Sequence, residues 1–189
     1  GLPALEAARL RIGQFLDDAE IAQLRLADEA QKTYDRAVRF LGHRPRSTAE
    51  VRRYLTRVGA DPALSAVVLE KLTAQGYLND AEFARYWVEN RERFRPKGER
   101  ALRQELRQRG VAEDVIATAL AGANAVASAY AAAQPRAARL AALASAEPDA
   151  FRRKLGDFLA RRGFDYETIH EVVEQLTTQY GADRSFDAD

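Results

Sequence analysis

Apolar residues recur along this chain at intervals of three and four, the period of helices buried on one face, and helix start and stop signals separate them. Gly13–Gln14 reads as a turn, and Asp17–Asp18 opens a helix running towards Ala30, because acidic side chains favour a helix N-terminus. A second helix covers 32–42 and ends at Gly42 and Pro45. Ser47-Thr-Ala-Glu50 has the spacing of a capping box and starts a helix that stops at Gly59. Asp61-Pro62 supplies an N-cap followed by Pro at the first helical position, and that helix ends at Gly76. Asn79 or Asp80 caps a helix reaching about Phe94, the loop Pro96–Gly98 follows, and further helices span 99–109 and 113–121. An alanine-rich helix over 124–144 is expected to break near Pro135. A helix over 149–162 stops at Gly163, and Asp165 caps the last, which reaches about Tyr180.

Part of this pattern repeats. Gly59, Gly110 and Gly163 are 51 and 53 residues apart. Four residues before each stands Leu55, Leu106 or Leu159, eight before stands Val51, Leu102 or Leu155, and ten after stands Leu69, Leu120 or Val173. Agreement in three registers predicts a diverged repeat of three helices, with these positions facing the core. The expected fold is therefore all-α: three tandem three-helix, helix-turn-helix-like repeats stacked into an elongated, curved molecule. The boundaries read as a prelude over 1–31, repeats over 32–78, 79–123 and 124–180, and a polar, frayed tail over 181–189.

Composition supports helices and narrows the chemistry. Of the 189 residues, 47% are hydrophobic, enough for a core, and glycine and proline are sparse. Cysteine is absent, which excludes disulfides, thiolate metal sites and cysteine nucleophiles and suits a reducing cytoplasm. No apolar run approaches the roughly 18 residues of a membrane span. Methionine is also absent and the chain begins at Gly1, which reads as a trimmed N-terminus. The net charge is only +1, yet residues 32–110 hold 18 Lys and Arg against 10 Asp and Glu, a surplus of 8. A basic block inside a neutral chain points to a local contact with a polyanion.

The segment from Ala37 to Leu120 contains Arg44-Pro-Arg-Ser47, Glu50-Val51, Tyr54-Leu55, Val68-Leu-Glu-Lys-Leu72, Gly76-Tyr-Leu-Asn-Asp80 with Phe83-Ala84, Lys97-Gly98, Gln104-Glu-Leu106 and Gly110-Val111. This ordered set resembles the RecX family, and the likeness continues more weakly through Leu159-Ala-Arg-Arg-Gly-Phe164, covering roughly 32–176. Family members often carry aspartate where this chain has Asn79, a difference that keeps the N-cap chemistry. The resemblance implies three tandem three-helix repeats and a negative regulator that binds the RecA filament on DNA. Inhibition of RecA ATPase, strand exchange and co-protease activity would follow, and with it modulation of recombinational DNA repair and the SOS response.

Nothing in the residues argues for an enzyme or a cofactor. His43 and His170 lie in different repeats, no phosphate-cradling glycine loop exists, and the carboxylates are scattered. The candidate site for DNA or the RecA filament is the basic block of Arg91, Arg93, Arg95, Lys97, Arg100, Arg103 and Arg107, within a run from Arg85 to Arg109 that holds four glutamates. At 100° per residue Arg100, Arg103 and Arg107 fall within about 60° of one another, turned away from Leu102 and Leu106. The equivalent positions are Ala49, Arg52 and Thr56 in the first repeat and Arg153, Gly156 and Ala160 in the third, so only the middle repeat carries all three arginines. Arg44, Arg46, Arg52 and Arg53 form a secondary cluster. Tyr77, Phe83, Tyr86 and Trp87 read as core between the first two repeats. The expected partners are the RecA filament and, weakly and without sequence preference, single- and double-stranded DNA; the expected state is a cytoplasmic monomer with no membrane contact. Two alternatives are a helix-turn-helix transcription regulator, which needs a base-reading helix and usually a dimerisation element, and a helical adaptor for another protein.

Overall fold

A computed structural model of the chain describes residues 15–182. Among them are ten helices and no strand: α1 (Asp18–Leu41), α2 (Thr48–Arg57), α3 (Pro62–Ala74), α4 (Asp80–Phe94), α5 (Glu99–Gln108), α6 (Glu113–Leu120), α7 (Ala125–Arg139), α8 (Ala141–Ala146), α9 (Pro148–Arg161) and α10 (Tyr166–Ala182). The expected turn at Gly13–Gln14 and most of the expected tail lie outside the described residues. No single described helix is long and apolar enough to cross a membrane.

The caps are where the side-chain chemistry puts them. Ser47 accepts from the Glu50 amide at 3.1 Å while Glu50 accepts from the Ser47 amide at 3.1 Å. Asp61 caps α3 through Leu64, Asn79 caps α4 through Ala81 and Glu82, and Asp165 caps α10 through Thr168. Asp80, the other candidate at the start of α4, instead accepts from the Thr48 amide at 2.8 Å and ties the start of α4 to the start of α2.

The three repeat glycines adopt φ of 75°, 78° and 84°. In each, the glycine amide donates to Thr56, Arg107 or Ala160, and the next amide donates back to Leu55, Leu106 or Leu159. This is the Schellman arrangement, which satisfies the last carbonyls of α2, α5 and α9 and requires a left-handed residue that glycine supplies without strain. All nine apolar positions in the repeat registers are buried.

The described chain divides between Phe83 and Ala84, inside α4, into two compact units. In the first, α1, α2 and α3 close on Ala37, Val51, Leu55, Val68, Leu69, Leu72 and Leu78. In the second, α5 and α6 pack together around Leu102, Leu106, Ile116 and Leu120, and α7 to α10 enclose Phe151, Leu155, Leu159, Val172 and Leu176. Within this unit the start of α5 meets the glycine turn after α9. The Gly98 amide donates to the Arg162 carbonyl at 3.0 Å and the Arg162 guanidinium donates to the Pro96 carbonyl at 3.0 Å. A Cβ on Gly98 would overlap the Gly163 carbonyl, and one on Gly163 would stand 2.6 Å from the Ala101 Cβ.

Three expectations are corrected. A single helix, α1, replaces the two expected over 17–30 and 32–42, because Ala30-Gln-Lys32 are good helix formers with no breaker among them. Pro135 lies inside α7, and the break falls at Leu140 instead. The buried alanine face Ala129, Ala132, Ala133 and Ala137, packed against α9 and α10, holds the helix through the proline. Tyr77 and Tyr86 are exposed at 58% and 45%, so of the four expected core aromatics only Phe83 is fully buried and Trp87 is half-buried.

Candidate nucleic-acid interface

The basic block occupies the end of α4, the loop 95–98 and α5, and the structure sorts its cations into distinct groups. Arg91 and Lys97 belong to a half-buried hub on Glu105. The Glu105 carboxylate accepts from the Trp87 indole and from Arg91, each at 2.8 Å, and from the Lys97 ammonium. Partial burial pushes this carboxyl up, but the hydrogen bonds from Lys97, Arg91 and Trp87 outweigh it and hold it below its ordinary value. Arg109 completes the hub by lying 3.6 Å over the Trp87 ring, with Arg91 on the same ring at 4.5 Å. Its donors converge on one carboxylate, so the hub fastens α4 and the 95–98 loop to α5.

Arg103 and Arg107 project from α5 as the helical spacing requires, but they share a carboxylate. Glu113, the first residue of α6, accepts from Arg103 with one oxygen and from Arg107 at 2.7 Å with the other, and Arg103 also pairs with Glu99. Those arginines hold the Glu113 carboxyl below its ordinary value, Arg107 contributing most. Arg100 is exposed and, with Arg103, borders a cleft of about 320 Å³ completed by Glu99, Gly163, Phe164 and Asp165. Arg93 and Arg95 are exposed at the end of α4 and the start of the loop, Arg93 against the Phe94 ring. The face is therefore cationic through Arg93, Arg95 and Arg100, with Arg103 and Arg107 partly neutralised.

The secondary cluster lies in the first unit. Arg44 pairs with Glu50 at 2.8 Å, Arg46 lies 4.0 Å over the Phe40 ring, and Arg52 and Arg53 are exposed on α2. Among the described residues no group of three or more His, Asp or Glu side chains is arranged to hold a metal ion.

Sequence reasoning missed Glu105 and Glu113 as partners of the basic block, and it missed the ring stack under Arg46. The Glu99–Arg103 pair was legible from its i,i+4 spacing. Glu105 and Glu113 were not, because their cations come from another helix or across a turn.

Tandem helical modules, each with a left-handed glycine turn between its last two helices, define a helical-repeat protein whose candidate site is the cationic stretch at the end of α4, the following loop and α5. Three family descriptions match in order: RecX, first three-helix domain, over residues 34–72; RecX, second three-helix domain, over 79–120; and RecX, third three-helix domain, over 127–173. A "Regulatory protein RecX" of Prosthecochloris aestuarii is 35% identical over 150 residues, covering 79% of this chain and 97% of the relative. Those of Bacillus subtilis and a Geobacillus strain are 39% and 33% identical over 111 and 171 residues. The matches cover 59% and 87% of this chain but only 42% and 61% of those longer proteins. A crystal structure of regulatory protein RecX superposes with a TM-score of 0.76 at 25% identity, covering 92% of this chain and 86% of that one. RecX from Lactobacillus salivarius superposes at 0.71 and 21% identity, covering 80% and 99%. The chain belongs to the RecX family of regulatory proteins.

Proposed function

We propose that this protein is a negative regulator of the recombinase RecA: it binds the RecA–DNA filament and lowers its ATPase, strand-exchange and co-protease activities. Recombinational repair and the SOS response would be modulated as a consequence. Family membership supports the regulatory role. The observation that carries the interface is the concentration of exposed cations in the middle repeat, where Arg93, Arg95 and Arg100 accompany Arg103 and Arg107, against one arginine at the α5-equivalent positions of each other repeat. Such a segment attracts DNA phosphates or an acidic surface on the recombinase. The protein works by binding, without chemistry of its own, as a cytoplasmic monomer.

Added to RecA on single-stranded DNA at sub-stoichiometric to equimolar ratio, the protein should lower the ATP hydrolysis rate while hydrolysing none alone. An unchanged RecA rate, with co-sedimentation confirming that the two proteins meet, rejects this function.

A further inference from the structure

From Arg85 onward, within the second unit, α4 presents three sides. Trp87 and Arg91 turn to Glu105 of α5. Arg85, Glu89 and Glu92 border a cleft against Thr118 and Ala119 at the end of α6. The third side carries two aromatic rings, Tyr86 and Phe94, exposed at 45% and 65%. At 100° per residue the two lie about 80° apart around the helix, with Asn90 between them and Arg93 beside Tyr86. Their eight-residue separation spans about 12 Å of axis. Glu89 and Glu92, the carboxylates that fall between them in sequence, belong to the side facing α6.

A single exposed apolar side chain is ordinary, but these two rings have cations for company. The Arg93 guanidinium lies 5.2 Å from the centroid of the Phe94 ring, and Arg95 is exposed next to it. Among the described residues neither arginine meets a carboxylate, and the Tyr86 hydroxyl has no hydrogen-bond partner. The repeat supplies a control. Counted from the repeat glycines, the places of Tyr86 and Phe94 are held by Asp35 and His43 in the first repeat and by Arg139 and Glu147 in the third. Only the middle repeat, which also holds the surplus of exposed cations, has an aromatic side chain at both. Exposed rings beside guanidinium groups suit a ligand with flat faces and negative charge in alternation. Unpaired nucleotides have that construction: each base stacks on a ring whatever its sequence, and each phosphate takes an arginine. In a duplex the base faces are covered by their neighbours, and an acidic protein surface has charge but no such faces.

We propose that this side of α4 is a stacking ridge for the unpaired bases of a single-stranded nucleic acid. Tyr86 and Phe94 each take one base, and Arg93 and Arg95 hold the phosphates beside them. The proposal rests on the nucleic-acid reading of the basic block and adds to it the residues that distinguish a single strand from a duplex.

The test is fluorescence anisotropy with two labelled single strands of about 15 nucleotides, one of mixed sequence and one made of abasic sites with the same number of phosphates. Both are titrated at several salt concentrations. With about tenfold for each stacked base, the parent protein should bind the intact strand about a hundredfold more tightly than the abasic one. Phe94→Ala and Tyr86→Ala should each weaken binding of the intact strand about tenfold. Both should leave the abasic affinity and the log–log salt slope unchanged, because the phosphate contacts remain. Phe94→Trp should restore the affinity, and Phe94→Leu, apolar without a flat face, should not. Both positions are exposed, so the fold should persist, which circular dichroism checks. Equal binding of intact and abasic strands by the parent overturns the proposal while leaving the phosphate contact of the basic block standing. Binding of neither strand also overturns it, and RecA inhibition, measured separately, then belongs to a protein contact. Phe94→Leu binding as tightly as Phe94→Trp would reduce the ring to a general apolar contact and overturn stacking. Phe94→Ala with full affinity for the strand but lost RecA inhibition would assign the ring to the recombinase instead.

Discussion

The meeting of Gly98 with Gly163 makes a prediction in which the two contributions to a glycine requirement separate. Gly98 → Ser places at the N-cap of α5 the residue that caps the equivalent helix α2, where Ser47 closes a capping box. Capping alone favours serine over glycine by a few tenths of a kcal/mol, and Gly98 has φ of −72°, which any residue adopts. The added Cβ, however, would overlap the backbone carbonyl of Gly163, and overpacking of this kind costs about 1–3 kcal/mol. The substitution should therefore destabilise the second unit despite the better cap. Gly59→Ala is the converse: its φ is +75° but open space surrounds the Cβ position, leaving only the left-handed penalty of about 1–2 kcal/mol. Gly163→Ala combines φ of +84° with a Cβ 2.6 Å from that of Ala101 and should cost about 2–5 kcal/mol. Trp87 is the single tryptophan and lies in the second unit, so its fluorescence follows the unfolding of Gly98→Ser and Gly163→Ala. A midpoint lowered by about 4 °C or more is expected for Gly98→Ser. Amide exchange in α2 reads Gly59→Ala. A Gly98→Ser protein as stable as the parent, or more stable, would refute the backbone-to-backbone approach of these two turns.

Further outcomes follow from the carboxylates. Glu105→Gln should destabilise the second unit by about 1–3 kcal/mol, read by Trp87 fluorescence in urea. Because the folded Glu105 carboxyl titrates below its ordinary 4.5, its contribution is complete above that pH and is lost as pH falls through the depressed value. The Gln variant should show a flatter acid limb, and an identical pH dependence would count against the hub. Glu113→Gln weakens the hold on Arg103 and Arg107 and should strengthen DNA binding and steepen its salt dependence, checked by anisotropy; weaker binding would show that Glu113 positions the arginines for their ligand. Arg100→Glu/Arg103→Glu/Arg107→Glu should lose much more RecA inhibition than Ala49→Glu/Arg52→Glu/Thr56→Glu at the equivalent positions, with thermal unfolding followed because Arg103 and Arg107 face Glu113. Equal losses would trace inhibition to bulk charge.

The local features of this fold were legible without coordinates. Capping chemistry depends on residues three apart, a Schellman turn on one glycine, and a helical core face on spacings of three and four, so Ser47, Asp61, Asp165, Gly59, Gly110 and Gly163 and the nine apolar positions around them could be read directly. Where the sequence reading erred, at Pro135 and at the supposed break near Ala30, tertiary packing or good local propensity outweighed a weaker signal. The sequence also placed the cations on the correct segments, because charge and helical angle are both local. Which of them remain available was decided by the tertiary structure. Arg91 and Lys97 meet Glu105 from another helix and a loop, Arg103 and Arg107 meet Glu113 across a turn, and Arg46 meets a ring contributed by α1. An ion pair or a cation on a ring forms over a few ångströms of space, whatever the distance along the chain, so spacing could not separate the cations that fasten helices together from those left facing outward.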